Sequence, residues 1–214
     1  MTRLFCTGKL SEVDERTRQS LLDRSMLLHA NVPEITRSII QRVRTSGDSA
    51  LLELARELDS VDLVSLEVPP SACTRALEEI PRNLRAAMEQ SAENIASVSA
   101  ASLPQRWETS PEPGIIVGRR PDPFDAVGVY APGGTASYPS SVLMGAVPAR
   151  AAGVKTVVLA TPPGENGLPS QAVLAAAALA GVDRVFAIGG AGAIAALAFG
   201  TETIPRVAKI VGPG

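Results

Sequence analysis

Three segments of this chain gather glycine where main-chain N–H groups could meet an anion. They are YAPGGTASYPSS from Tyr130, AIGGAGAIAALAFGT from Ala187, and IVGPG from Ile210. Glycine lacks a Cβ, so a ligand can approach its backbone closely. A helix that begins behind such a turn points unpaired N–H groups and the positive end of its dipole at the same place. That chemistry suits a phosphate or pyrophosphate. Glycines in one such turn would be explained by the tight turn alone. Three turns at the ends of successive apolar runs favour a ligand, with Gly133, Gly134, Gly189, Gly190 and Gly192 as the candidate contacts.

The second segment carries a sharper pattern. Gly190, Gly192 and Ala195 have the G-x-G-x-x-G/A spacing of a dinucleotide turn, placed after an apolar run and before a helical one. The acidic residue expected about 20 residues later, at the end of the next strand, is missing from AKIVGPG. The fingerprint is therefore incomplete.

Other chemistry finds little support. Cys6 and Cys73 are far apart and follow no CxxC spacing, which argues against a disulfide framework, and neither stands beside a histidine. The single histidine, His29, cannot build a histidine-rich zinc site and reads as a surface residue. Ser140 and Ser141 lack the G-x-S-x-G frame of a nucleophile and read as helix caps. Asp122 and Asp125 read as solvated turn residues rather than an acid–base pair. No residue emerges as a catalytic candidate and none as a metal ligand.

The elements that must position these glycines follow from patterning. Only ten charged residues follow position 120, against 14 of the 18 glycines. Residues 1–118 read as a charged, mainly helical part and an incomplete domain, and 119–214 as an apolar, glycine-rich α/β domain. In the first part Ser11 is the expected cap of an opening helix, with Asp14 in its first turn. A second helix begins at Pro33 and ends at Gly47, and SALLELARELDS forms a third. VSLEVPP reads as a short strand. Two further helices run through SACTRALEEI and PRNLRAAMEQSAENIASVSA, the latter with Leu84, Met88, Ala92 and Ile95 on one packed stripe. Trp107 reads as a packing residue, and Ile115–Val117 and Ala126–Tyr130 as strands. From VGVY onward strand and helix alternate: KTVVLATPP, SQAVLAAAALAG, DRVFAIGG, AGAIAALAFG, AKIVGPG. The order βαβαβαβ predicts a Rossmann-like parallel sheet with right-handed crossovers, preceded by the helical part.

A net charge of −2 and an aromatic content of 3% give no basic field and no stacking platform for nucleic acid. The apolar runs are too short to span a membrane, and MTRLFCTGKL has no apolar core of a secretory leader, so the expected location is the cytoplasm.

The segments GVYAPGGTASYPSSVLMGAVPARAAGVKTVVLATPP and LAAAALAGVDRVFAIGGAGAIAALAFGTETIPRVAKIVGPG closely resemble histidinol dehydrogenase, and RVRTSGDSALLELARELD is similar to the N-terminal part of that family. The resemblance implies a truncated N-terminal half of a cytoplasmic, homodimeric, zinc- and NAD-dependent oxidoreductase with an aldehyde-dehydrogenase-like domain. It implies oxidation of L-histidinol to L-histidine through the aldehyde, in histidine biosynthesis. It marks Tyr130 as an NAD contact. It also places an NAD-contacting glutamine where this chain has Gly192, and an NAD-contacting asparagine directly after the final GPG. The zinc ligands and the glutamate–histidine acid–base pair of the family fall outside these segments. The expectation is a chain that binds NAD weakly and does not turn over histidinol alone. The alternatives are a non-catalytic nucleotide- or anion-binding module, or a structural half that pairs with a copy of itself or with a complementary C-terminal half.

Overall fold

A computed structural model describes residues 8–22, 31–133 and 136–213. His29, Cys6 and Gly134, all weighed above, lie outside these residues. The chain divides into two compact units, Met1–Ser38 and Ile39–Gly214.

In the first unit a 3₁₀ turn, Leu10–Glu12, precedes helix α1, Glu15–Leu22. The residue that caps α1 is Asp14, not Ser11. Its carboxylate accepts from the Thr17 main-chain N–H at 3.0 Å and from the Thr17 hydroxyl at 2.7 Å. The first of these holds the Asp14 carboxyl below its ordinary pKa. Ser11 falls inside the 3₁₀ turn instead, one turn too early.

Helix α2 runs from Val32 to Asp59, with a break at Gly47, whose φ of 50° and ψ of −128° are not helical. The expected stop at Gly47 is thus a sharp kink between two helical arms. The Asp48 N–H donates to the Glu202 carboxylate at 2.8 Å and the Thr201 hydroxyl donates to Asp48 at 2.5 Å, which fixes the kink. A Cβ on Gly47 would collide with that Glu202 carboxylate.

After α2 come strand β1 (Glu67–Val68), helices α3 (Pro70–Glu79) and α4 (Arg82–Ala101), and strands β2 (Trp107–Glu112) and β3 (Ile115–Arg119). The alternating region follows as β4 (Ala126–Tyr130), α5 (Pro139–Ala151), β5 (Thr156–Thr161), α6 (Gln171–Leu179), β6 (Arg184–Ala187), α7 (Gly190–Phe199) and β7 (Lys209–Val211). The main sheet has the order β1-β6-β5-β4-β7. Strands β6, β5, β4 and β7 are parallel, and β1 adds antiparallel at one edge, with Glu67 opposite Phe186. The expected parallel α/β sheet is present.

Neighbouring residues of β4 reveal the layers, since side chains alternate across a strand. A Cβ on Gly128 would meet Leu197 of α7 at 2.9 Å, whereas Val129 presses on Gly145 of α5. Helices α5 and α7 therefore cover opposite faces. Helix α6 joins α5, and α3 and α4 pack outside α6 and α5. Met88 is buried, with Leu84, Ala92 and Ile95 packed beside it, as the stripe on α4 requires. Phe186, Leu143, Leu159 and Leu197 are fully buried at the centre. Residues on both sides of position 119 thus share one core.

Strands β2 and β3 form a separate two-stranded hairpin, with Trp107 opposite Arg119. Every residue of both strands is exposed, Trp107 included at 52%. Trp107 is not a packing residue here, because no described layer covers either face of the hairpin. Ser140 and Ser141 also differ from expectation. Helix α5 starts at Pro139 behind Tyr138 without a side-chain cap, so both serines sit inside its first turn.

Candidate functional site

The four parallel strands end level with one another. In register, Tyr130 of β4 lies opposite Ala160, Thr161 of β5 opposite Ala187, and Val129 opposite Val211 of β7. The chain fills β4, β5 and β6 in one direction and then returns to place β7 on the other side of β4. Such a reversal opens a crevice beyond the carboxyl ends of the strands, where ligands bind in open α/β sheets.

The glycine turns after β4 and β6 meet beside it, over the end of β5. Pro162, directly after β5, stands between two of them. A Cβ on Gly133 would lie 3.2 Å from the Pro162 ring, and one on Gly189 would lie 2.8 Å from it. Both glycines are needed for close approach rather than for an unusual φ. Gly190 is different: it has φ 58°, a left-handed value that costs an L-residue about 1–2 kcal/mol. That twist turns the chain from β6 into α7. The Gly190 N–H then donates to the Tyr130 hydroxyl at 3.2 Å. On the far side of Tyr130, a Cβ on Gly212 would lie 2.3 Å from the Tyr130 carbonyl oxygen. Tyr130, Gly133, Gly189 and Gly190 are therefore brought to one place.

Gly192 is set apart from that group. It is buried on α7 with Leu51 and Leu54 of α2 against it, at 3.3 and 3.4 Å from an added Cβ. The small residue lets α2 approach α7, and the space beside it forms a chamber of about 190 Å³ lined by Leu54, Leu58, Asp59, Pro162 and Gly189–Gly192. A second chamber of about 650 Å³ continues past Pro162, bordered by Gly133, Thr161, Gly164–Asn166, Ser170 and Gln171. Leu58, Asp59 and Pro162 belong to both chambers.

The end of α2 as a wall of the cleft was not legible in sequence, where SALLELARELDS reads as scaffold. Asp59 stands exposed at the rim, yet its carboxyl is desolvated enough to raise its pKa above the ordinary carboxylate value. Thr161 is the reverse case, a polar residue only 2% exposed at the end of β5 that borders the larger chamber. Asp122 and Asp125 lie before β4, away from these strand ends, and both are exposed. Burial raises the Cys73 thiol pKa, which disfavours the thiolate.

The histidinol dehydrogenase family model matches residues 22–214. The chain belongs to the histidinol dehydrogenase family. It is 45% identical over 207 residues to histidinol dehydrogenase of Methanosarcina mazei, covering 96% of this chain and 48% of that protein. The enzyme of Clostridium acetobutylicum is 43% identical over 212 residues, covering 99% and 49%. The crystal structure of histidinol dehydrogenase from Elizabethkingia anophelis superposes with a TM-score of 0.84 at 31% identity, covering 94% of this chain and 47% of that one. The chain spans about half the length of the curated relatives it matches.

Zinc and NAD, which the family resemblance implies, fare differently against these residues. Among the described residues no group of three or more His, Cys, Asp or Glu could hold a metal ion, so they do not fit a zinc centre. The cleft does fit a dinucleotide. It has glycines that leave room for a ligand, a helix start behind them and a tyrosine across them. No helix among the described residues is long and apolar enough to cross a membrane.

Proposed function

We propose that these 214 residues supply the NAD-binding part of a histidinol dehydrogenase, with the cofactor held across the ends of β4, β5 and β6. The observation that carries this reading is the Tyr130–Gly190 hydrogen bond over the Pro162 cradle, in a chain of this family. The start of α7 would receive the pyrophosphate on its free N–H groups, and Gly133 and Gly189 would keep side chains out of its way. Tyr130 would hold the turn from β6 into α7 in place. Gly192 leaves this chain without the amide side chain that the family resemblance places there, so affinity is weakened by roughly one hydrogen bond, about 1 kcal/mol.

Bound NAD supplies a hydride acceptor for the oxidation of L-histidinol through the aldehyde to L-histidine. In this proposal the described residues orient the cofactor and exclude water from the strand ends. They contribute no base and no metal ligand. We propose accordingly that the chain alone does not oxidise histidinol, that activity needs a zinc-bearing C-terminal half and a homodimeric assembly, and that the enzyme works in the cytoplasm. Residues 119–214 are the proposed cofactor-binding domain.

Calorimetric titration of the 214-residue chain with NAD and with AMP tests the cofactor reading. Saturable heat with NAD supports it, and no heat at millimolar NAD overturns it. Histidinol-dependent NADH formation by the same chain, with zinc added, would overturn the expected inactivity. NAD binding without turnover is the expected result.

A further inference from the structure

We propose that Asp59 accepts a hydrogen bond from a hydroxyl of the adenosine ribose, and so selects against a dinucleotide that carries a phosphate on that hydroxyl. This rests on the reading of the cleft as an NAD site. In the usual dinucleotide fold an acidic residue at the end of the next strand takes this role, about 20 residues after the glycines. The strand that follows α7 here is Lys209–Val211, which carries no acid. Another element must then provide the carboxylate.

Asp59 is placed to do so. It closes α2 at the seam of the two chambers, in the same wall-to-wall space as the start of α7. Both riboses of a dinucleotide are joined to the pyrophosphate through their 5′ oxygens, so a carboxylate in the chamber that holds the start of α7 has a sugar as its nearest donor-bearing neighbour, and the AMP arms of the test below identify the adenosine one. Among the described residues, no hydrogen-bond donor and no cation meets the Asp59 carboxylate, and burial is the only cause of its raised pKa. A carboxylate at the rim of the chamber with no partner among the described residues is free to accept charge-assisted hydrogen bonds from hydroxyl donors. Thr161 adds a second polar group in the larger chamber. It is 2% exposed and closes β5 at the border of that chamber.

Charge supports the selectivity. Among the described residues no Lys, Arg or His lines either chamber, whereas Asp59 and Glu165 both border the larger one. The pyrophosphate can be met by main-chain N–H groups. An additional phosphate on the ribose would meet a carboxylate and no counter-charge, which disfavours it.

The test is a set of titrations of the full 214-residue chain with NAD, NADP, AMP and AMP bearing a 2′-phosphate, on the wild type, Asp59→Asn, Asp59→Glu and Glu165→Gln. Thermal melts confirm that each variant folds. The wild type is expected to prefer NAD over NADP by at least about tenfold. Asp59→Asn is expected to weaken NAD and AMP several-fold without weakening NADP, so that the preference narrows. Asp59→Glu should keep part of it. If NAD binds but Asp59→Asn alters NAD and NADP equally, or neither, the Asp59 proposal is overturned while the NAD reading stands. Glu165→Gln narrowing the preference as much would also overturn it, since general negative charge would then suffice. If the wild type binds no NAD, the cofactor reading fails and this inference with it.

Discussion

The main-chain N–H of Gly190 donates to the hydroxyl of Tyr130, 60 residues earlier, and so links the end of β4 to the start of α7 across β5. Tyr130→Phe keeps the ring and removes the acceptor. The expected cost to stability is about 0.5–1 kcal/mol, at the low end for a hydrogen bond because Gly190 is exposed. NAD affinity is expected to fall several-fold, since the turn loses the contact that fixes it. Chemical denaturation and calorimetry measure the two effects separately. A stability loss with unchanged NAD affinity would make Tyr130 structural only.

Gly189 and Gly190 are neighbours that resist substitution for different reasons. Gly189 has φ −125° and ψ 173°, which any residue adopts, but an added Cβ lies 2.8 Å from Pro162 Cγ. A proline ring cannot rotate away. Gly189→Ala should cost about 1–3 kcal/mol through overpacking. An added Cβ on Gly190 meets nothing within 4 Å, but its φ is 58°. Gly190→Ala should cost about 1–2 kcal/mol through backbone strain. Urea denaturation of both variants measures the losses. A neutral Gly190→Ala would show that the turn from β6 relaxes.

These two glycines illustrate how much of the molecule could be read from sequence. The turn after DRVFAI and the strands and helices around it follow from apolar runs punctuated by Gly and Pro, and the parallel sheet follows from their alternation. Strand β2 was hidden because WETSPE has neither apolar alternation nor a buried face. The cap at Asp14 was displaced from Ser11 by a 3₁₀ turn that no local pattern announces. The role of Pro162 as the ridge between Gly133 and Gly189, and of Leu58 and Asp59 as a cleft wall, depends on contacts between residues far apart in the chain. No propensity or spacing encodes such a contact.

Gly192 offers a gain rather than a loss. An added Cβ would lie 3.3 Å from Leu51 Cδ2 and 3.4 Å from Leu54 Cδ1, buried side chains that need shift by only a few tenths of an ångström, and the chamber beside Gly192 has room for the rest of a longer side chain. Replacing glycine inside a helix also recovers up to about 1 kcal/mol of helix propensity. Gly192→Gln should therefore leave stability within about 1 kcal/mol of the wild type. The family resemblance puts an NAD-contacting glutamine at this position, so NAD affinity is expected to rise several-fold. Paired melts and calorimetric titrations check both. Weaker binding by a folded variant would mean that the amide fills the small chamber instead of serving the cofactor.

The edge strand β1 depends on one ion pair for part of its hold. Arg184 of β6 donates to the Glu67 carboxylate through Nε at 2.8 Å and Nη2 at 2.6 Å, and its guanidinium lies 4.9 Å from the centre of the Phe186 ring. The hydrogen bonds from Arg184 hold the Glu67 carboxyl below its ordinary value of 4.5. A carboxyl with a lowered folded pKa stabilises the native state above its unfolded pKa, and that contribution disappears as pH falls through the folded value. The stability difference between wild type and Glu67→Gln should be largest near neutral pH and should shrink below about pH 4.5. Both side chains are about a third exposed, so solvent screening keeps the neutral-pH difference below about 1 kcal/mol. Urea midpoints measured from pH 3 to 7 on both proteins test this. A difference that stays constant across that range would mean that Glu67 acts through packing of its aliphatic stem rather than through its charge.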